Sequence, residues 1–264
     1  MTLRLLLDVY AALVGLIAGS YLNVVIHRLP RQLSTVLPRS RCPQCGSLIR
    51  PYDNIPVLSW LLLRGRCRTC KSPISARYPF VEALTASLFV LAVERFGPTR
   101  SAVVAAGLSA LLLALAAIDL EHLILPDKLT IPGIVVGIAL QPWIGWVGVR
   151  GALIGAALGA GILLVAYGGW WLVRREEGLG LGDVKMLALV GAFLGWRGVV
   201  VTLFLGALAG AVVGVALLVA RRGDAKSRLP FGTFLAAGAL VALYFGPELV
   251  NGYLTVAFGA SPPP

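Results

Sequence analysis

Residues 1–26, "MTLRLLLDVYAALVGLIAGSYLNVVI", carry only two charged side chains, those of Arg4 and Asp8. About 20 apolar residues are enough for a helix to cross the ~30 Å hydrocarbon core of a bilayer. An early Arg, an apolar run and small residues at 18–20 are also typical of a secretory signal peptide. Because Asp8 interrupts the run and the apolar character continues to Ile26, we interpret the segment as an uncleaved first transmembrane helix.

The whole chain is as apolar as its beginning. Of its 264 residues, 58% are hydrophobic and 13% are charged, and the mean hydropathy is +0.86. Soluble domains carry about 25% charged residues, so this composition indicates an integral membrane protein. The excess of 23 Lys and Arg over 12 acids fits cytoplasmic loops better than nucleic-acid binding, since no basic stripe interleaves with aromatic residues.

The apolar segments predict an all-α polytopic membrane protein with about eight transmembrane helices. The predicted spans are 5–26, 79–96, 101–119, 129–148, 151–173, 185–197, 199–220 and 229–246. The sixth is short, which predicts a half-buried or broken helix. The predicted domains are a first transmembrane helix at 1–26, a polar insert at 27–78, a helical core at 79–246 and a tail at 247–264. The final "SPPP" of the tail is expected to be disordered, and no internal repeat is expected.

The distribution of positive charge predicts the orientation of the chain. Segment 27–78 holds ten of the 23 Lys and Arg residues. With eight spans, the connections 120–128, 174–185 and 221–228 lie on the same side of the membrane as this segment. Loops rich in Lys and Arg stay in the cytoplasm, so this side is predicted to be cytoplasmic and the N-terminus to face out.

The insert contains two cysteine pairs, "CPQCG" at 42–46 and "CRTCK" at 67–71. Two Cys-x₂-Cys turns can bring four thiolates into the tetrahedron that Zn²⁺ prefers, and a cytoplasmic location argues against disulfides. The sequence therefore predicts a structural zinc held by Cys42, Cys45, Cys67 and Cys70. A redox-active or metal-free thiol cluster is the alternative.

Two acids lie at the predicted cytoplasmic edge of the apolar region. Asp119 closes the third span, and Asp183 opens the sixth within "GLGLGDVKML" at 178–187. A charge at the bilayer centre costs at least ~2.5–3.5 kcal/mol, so acids inside the membrane are candidates for function. Two neighbouring carboxylates can share a proton, one acting as base on a water while the other polarises a carbonyl. The glycines at 180 and 182 are expected to adopt positive φ and let a substrate strand approach.

Other interpretations of these acids remain open. Asp119 and Asp183 can be separate helix-end acids, and Asp183 can cap the sixth helix. Asp127, after Pro126 in "LPDKLTIP", is predicted to be a turn or N-cap residue of the fourth span. A transporter or channel could also use intramembrane acids for protons or ions, and a zinc-containing assembly factor would need neither aspartate.

Several motifs together resemble one family, the bacterial type IV prepilin leader peptidases of pilus and type II secretion systems. They are "GSYLNVVIHRLPR" at 19–31, "ISARYPFVEALTA" at 74–86, "IDLEHLILPDKLTIP" at 118–132, "GLGLGDVKMLALVGAFLG" at 178–195 and "LPFGTFLAAGAL" at 229–240, with the cysteine insert between the first two. The resemblance covers nearly the whole chain.

The resemblance implies a multi-pass enzyme of the bacterial inner membrane with its active site facing the cytoplasm. Such enzymes cleave the basic leader of type IV prepilins and pseudopilins after a glycine, then methylate the new N-terminus with S-adenosylmethionine. It further implies that Asp119 and Asp183 are catalytic and that Gly180 and Gly182 belong to the active-site loop. The four-cysteine insert is linked in the family to the methyltransferase-bearing type.

Further residues are candidates for binding substrates. A basic leader would dock on acids near the dyad, and the candidates are Glu121, Asp127, Glu176 and Glu177. Lys185 is expected to snorkel toward the membrane surface. Glu82, near Tyr78, is a candidate for the S-adenosylmethionine site, with a structural hydrogen bond or salt bridge as its alternative. The sequence predicts no oligomeric state.

Overall fold

The structure, a computed structural model, describes residues 2–175, 180–220 and 229–259. Every regular element of this part is helical, which confirms the all-α prediction. The helices are α1 Thr2–Arg28, α2 Leu58–Leu62, α3 Arg77–Phe96, α4 Arg100–His122, α5 Asp127–Ile144, α6 Gly148–Arg174, α7 Leu181–Val219 and α8 Phe231–Phe258, and a 3₁₀ turn covers Pro51–Asn54. The chain forms two compact units, Met1–Ala114 and Leu115–Pro264.

Five of the described helices are long and apolar enough to cross a membrane. They are α1, α4, α6, α7 and α8, so the predicted number of about eight spans is not confirmed. Three helices account for the difference. Helix α3 carries charged residues at both ends and Glu82 within it, and α5 has only 18 residues, which include Asp127, Lys128 and Gln141. The predicted sixth and seventh spans lie in the single element α7.

Helix α7 is interrupted where those two predicted spans meet. Gly195 has φ 66° and ψ −171° inside the element, a conformation that glycine adopts far more readily than any other residue. The segment before it is buried on nearly all sides, with Met186, Leu187 and Leu189 fully buried. Helices α5, α6 and α8 pack against α7. A helix surrounded by other helices is apolar all round, which explains why the short sixth segment is so hydrophobic.

Small residues allow the closest helix contacts. A Cβ at either Gly155 of α6 or Gly191 of α7 would overlap the carbonyl of the other residue. In the first unit, a Cβ at Gly15 of α1 would lie 2.6 Å from Ala86 Cα of α3. Helices inside a membrane gain from close packing of this kind because lipid is as apolar as a leucine side chain.

The insert after α1 contains a short structural repeat that the sequence analysis did not expect. Residues 40–49 and 65–74 form the same turn, each closed by an isolated antiparallel bridge. The Cys42 N–H donates to Ser47 O at 2.9 Å, and the Cys67 N–H donates to Ser72 O at 2.8 Å. Arg-Cys-x-x-Cys-x-Ser-x-Ile occurs in both segments, so the expectation of no internal repeat is wrong at this scale.

The C-terminal segment differs in part from the prediction. Helix α8 continues from the predicted end of the last span through Pro247 to Phe258, so most of the expected tail is helical. The "SPPP" end, at 261–264, lies outside the described residues.

Candidate active site

Asp119 lies one turn before the end of α4 and is almost fully buried. Its backbone carbonyl accepts the N–H of Leu123 at 2.8 Å, which closes the helix. Beyond that point the chain is non-helical as far as Pro126, and α5 begins at Asp127. Proline restricts the residue before it to extended conformations, so "LPD" separates the two helices just after Asp119.

The Asp119 side chain is held by the beginning of α8. The Thr233 N–H donates to Asp119 Oδ2 at 2.8 Å, and Thr233 Oγ1 lies 3.2 Å from the same oxygen. The Gly232 N–H also donates to this carboxylate. The first N–H groups of a helix have no partner within the helix and carry its partial positive charge. The N-terminus of α8 therefore offers donors that suit an anion, and the Asp119 carboxyl group accepts them.

Asp183 lies in the first turn of α7, where a carboxylate is favoured by the helix dipole. The turn begins at Gly180, whose carbonyl accepts the Asp183 N–H at 3.1 Å, while the Gly180 N–H donates to the Asp183 carboxylate. A carboxylate at the third helical position that reaches back to the N-cap N–H is half of a capping box. Asp183 therefore does stabilise the helix end, as the alternative interpretation expected, and this is compatible with facing a cavity.

The two aspartates line one cavity of about 260 Å³ within the second unit. A water molecule occupies about 30 Å³ of liquid, so the cavity has room for several waters or for water and a short piece of peptide. Its lining residues are Asp119, Leu123, Ile124, Leu125, Gly180, Gly182, Asp183 and Lys185. The fold thus brings together both predicted aspartates and both predicted glycines.

The two glycines are needed for space and not for positive φ. Gly180 has φ −77° and ψ 136°, and neither Gly180 nor Gly182 is among the glycines with positive φ. The expected conformation is therefore wrong. A Cβ at Gly182 would lie 2.9 Å from Leu125 Cβ, and one at Gly180 would lie 3.3 Å from Asp183 Oδ2. A side chain at either position would crowd the Asp183 turn or the segment after Asp119.

The candidate docking acids occupy different surroundings. Lys185 Nζ lies 2.5 Å from Asp127 Oδ1, so the lysine expected to snorkel forms an ion pair between α7 and α5. Glu121 Oε2 lies 3.9 Å from His122 Nε2. Glu176 and Glu177 lie outside the described residues.

Glu82 in the first unit is buried against the insert. Its Oε2 accepts the N–H of Val57 at 2.7 Å, and Ser20 also bonds to this carboxylate. Val57 precedes α2 with φ 59°, an unusual value for a β-branched residue. These contacts favour the structural alternative for Glu82, because its carboxylate fixes a strained turn of the insert.

The four cysteines of the insert converge at one point of the first unit. Their Sγ atoms all lie within 4.8 Å of one another, and Cys42 Sγ and Cys70 Sγ are 3.8 Å apart. A tetrahedral ion with Zn–S bonds of ~2.3 Å places its sulfurs ~3.8 Å apart. All four cysteines are free of disulfides. The cluster has the donor number and spacing of a closed tetrahedral metal site.

The turns also prepare the thiols for metal binding. The backbone N–H of Cys45 lowers the pKa of the Cys42 thiol to about 6. The Ser72 hydroxyl lowers the pKa of the Cys70 thiol. Thiolates are the ligands that Zn²⁺ takes, so the turns favour the charge state that a metal needs at Cys42 and Cys70, whereas burial raises the pKa of the Cys67 thiol.

Sequence analysis missed two residues of the site, Gly232 and Thr233. Both lie in the "LPFGTFLAAGAL" motif, which the resemblance used without giving its residues a function. A Cβ at Gly232 would lie 3.0 Å from Asp119 Oδ2. The available signal was Pro230, followed by Phe231, Gly232 and Thr233, at the start of a helix, where N–H groups are exposed.

Comparisons with known proteins match two family models along the chain. Residues 13–96 match the bacterial peptidase A24 N-terminal domain, and residues 106–215 match the type IV leader peptidase family. No solved structure matches the chain.

Three relatives share the name prepilin leader peptidase/N-methyltransferase. The Burkholderia pseudomallei protein (strain 1026b) is 40% identical over 90% of this chain and 85% of its own length. The Myxococcus xanthus protein is 49% identical over 81% of this chain and 64% of its own. The Aeromonas hydrophila protein is 40% identical over 92% of both chains. None of these names describes a transporter or an assembly factor, so neither rival interpretation gains support.

Proposed function

The chain belongs to the type IV leader peptidase family, and on this premise we propose that it cleaves the leader from type IV prepilins and pseudopilins and then methylates the new N-terminus. The family and the names of the relatives support both activities. The observation that carries the peptidase proposal is that Asp119 and Asp183, from two helices, line one cavity.

The proposed peptidase reaction is direct attack of water on the scissile peptide bond. One aspartate removes a proton from the water, while the other, protonated, polarises the carbonyl. No covalent acyl-enzyme is formed, because neither carboxylate attacks the peptide. Reagents against serine proteases are therefore expected to leave cleavage intact.

The substrate is expected to enter from the cytoplasmic side of the inner membrane. The insert with ten Lys and Arg residues supports this orientation, since a basic leader that stays in the cytoplasm must be cut at that surface. The apolar part of the prepilin would lie in the bilayer beside the enzyme.

The four cysteines are proposed to hold a structural Zn²⁺. Four protein ligands leave no open position for water or substrate, so such an ion stabilises the fold and does not catalyse. The two knuckles and the thiol spacing support this proposal.

The methyl donor is proposed to be S-adenosylmethionine, which the N-methyltransferase name of the relatives supports. Glu82 remains the candidate for its site, although its bonds to Val57 and Ser20 favour a structural task. Replacement of Glu82 by Gln preserves the shape of the side chain and removes its charge, and it therefore distinguishes donor binding from a structural role. A donor-binding carboxylate predicts a higher KM for S-adenosylmethionine, and a structural one predicts lower thermal stability.

The function is tested with purified protein in detergent or vesicles, a prepilin, and S-adenosylmethionine. Mass measurement of the product should show loss of the leader, and addition of one methyl group only when the donor is present. Intact prepilin would overturn the proposal, and a cleaved product that is never methylated would overturn its second half.

A further inference from the structure

The carboxylates of Asp119 and Asp183 are bound unequally by the chain. Three donors converge on Asp119, namely the N–H groups of Gly232 and Thr233 and the Thr233 hydroxyl. Asp183 receives the N–H of Gly180. A carboxylate that accepts several N–H groups is favoured in its ionised form. The surroundings of Asp119 therefore favour the charged carboxylate more strongly than the surroundings of Asp183 do.

Other charges at the cavity do not cancel this difference. Lys185 of α7 also lines the cavity, but it is paired with Asp127 of α5 at 2.5 Å. Glu121 and His122 follow Asp119 on its own helix and lie 3.9 Å from each other. The segment 229–234, which leads into α8 and reads "LPFGTF", has no titratable side chain. The N-terminus of α8 acts on Asp119 and that of α7 acts on Asp183, so both acids feel a helix dipole and the difference between them lies in the number of donors.

We propose that Gly232 and Thr233 make Asp119 the charged member of the dyad, so that Asp183 holds the shared proton and Thr233 is a positioning residue for catalysis. This inference rests on the proposed peptidase function. It assigns the role of general base to Asp119 and that of general acid to Asp183, whereas the chemistry of the reaction alone would allow either assignment.

The Thr233 hydroxyl has an acceptor for each stage of the reaction. Its single proton can go to Asp119 Oδ2, 3.2 Å away, or to the Ala116 carbonyl at 3.0 Å. When Asp119 is charged, the hydroxyl donates to it. When Asp119 carries a proton, the hydroxyl can turn to Ala116 and accept from the carboxyl, because a hydroxyl both donates and accepts. Thr233 thus keeps the side chain in place before and after proton transfer.

The resulting reaction sequence balances. Asp119 takes a proton from water, the new C–O bond forms, and the proton of Asp183 moves to the carbonyl oxygen. Asp119 then gives its proton to the leaving nitrogen as the C–N bond breaks, and Asp183 recovers a proton from a hydroxyl of the intermediate. Both carboxyl groups return to their starting states.

The test is the pH dependence of prepilin cleavage by Thr233→Val, which removes the hydroxyl and keeps both shape and backbone N–H. Thr202→Val is the matched control, because Thr202 is fully buried in α7 and its Oγ1 has no hydrogen-bond partner in the described structure. Thr233→Ser restores the hydroxyl. Thr233→Ala removes it with a different packing change.

We expect Thr233→Val and Thr233→Ala to lower kcat by about tenfold with little change in KM, since loss of a bond to a charged group costs about a factor of ten or more. The acidic limb of the pH–rate profile should move to higher pH by about 0.5–1 unit, because a carboxylate with one donor fewer is harder to ionise. Thr233→Ser and Thr202→Val should follow the wild type.

Two results would overturn this inference and leave the proposed peptidase function intact. In one, the Thr233→Val and Thr233→Ala profiles superimpose on that of Thr202→Val. In the other, Thr233→Ser loses as much activity as Thr233→Val, which would make the effect one of packing. A wild-type protein that leaves prepilin intact would overturn the proposed function and this inference with it.

Discussion

Lys185 Nζ of α7 lies 2.5 Å from Asp127 Oδ1 of α5, and Lys185 also lines the cavity that contains both aspartates. Both side chains are partly exposed, 34% and 58%, and exposed ion pairs contribute little to stability, about 0–1 kcal/mol. Asp127 thus already has a counter-charge, which a basic leader would have to replace.

Removal of that counter-charge should improve binding of a basic leader. In Lys185→Met, Asp127 is left unpaired, and we expect KM for prepilin to fall about two- to fivefold at low ionic strength. The gain should disappear at high salt, because exposed charges are screened. Arg4→Met is the control, since Arg4 forms a comparable ion pair with Glu94 in the first unit. A higher KM in Lys185→Met would contradict docking on Asp127.

Gly232 should be intolerant of even one methyl group. In Gly232→Ala the Cβ would lie 3.0 Å from Asp119 Oδ2 and 2.9 Å from Leu125 Cδ1, so the carboxylate must shift. A misplacement of ~1 Å can cost a catalytic group about 100-fold in rate, so we expect the activity of Gly232→Ala to fall by up to about 100-fold. In Gly252→Ala, also in α8, the Cβ meets nothing within 4 Å. That control should keep full activity and gain about 0.5–1 kcal/mol of helix stability. Equal activity of the two variants would contradict the close approach of Gly232 to the Asp119 carboxylate.

The insert should lose stability in acid through one ion pair. Arg68 bonds to both oxygens of Asp53, and its guanidinium lowers the pKa of that carboxyl. A depressed pKa stabilises the fold above the unfolded value of ~3.9, and this contribution is lost as pH falls through the folded value. Asp53→Asn should therefore lower the unfolding midpoint at pH 7, and the difference from wild type should shrink as the pH falls below the unfolded value of ~3.9. A difference that persists in acid would assign the effect to packing.

Metal analysis should find one zinc ion per chain. Replacement by Co²⁺ should give the absorption spectrum of tetrahedral thiolate coordination, because the four thiols are spaced for that geometry. Cys45→Ser should lose the ion, and chelation should lower the stability of the insert. Hydrolysis should not depend on the ion directly, since no cysteine is among the residues that line the cavity. Metal-free protein that keeps all its stability would contradict a structural zinc.

The sequence predicted those features that follow from the residue type itself, namely the apolar helices, the cysteine cluster and the two aspartates. Apolar runs predicted helices, because a membrane tolerates few other structures, and the cysteine spacing predicted the thiol cluster. Asp119 and Asp183 were recognisable because acids are rare in such segments.

The sequence could not predict contacts that depend on backbone groups or on the meeting of distant elements. The donors on Asp119 include two amide N–H groups, which every residue except proline carries, so residue type alone did not mark Gly232 and Thr233 as its partners. The ion pair of Lys185 with Asp127 requires α5 and α7 to be neighbours. Gly180 and Gly182 were recognised as special, but space and not φ makes them so.

The most direct measurement is the cleavage rate of Asp119→Asn, Asp183→Asn and the double variant, each shown to be folded by its unfolding midpoint. Residues that act as one unit are non-additive, so removal of either should cost nearly as much as removal of both. We expect each single variant to lose cleavage as completely as the double variant. Wild-type cleavage by either single variant would contradict it.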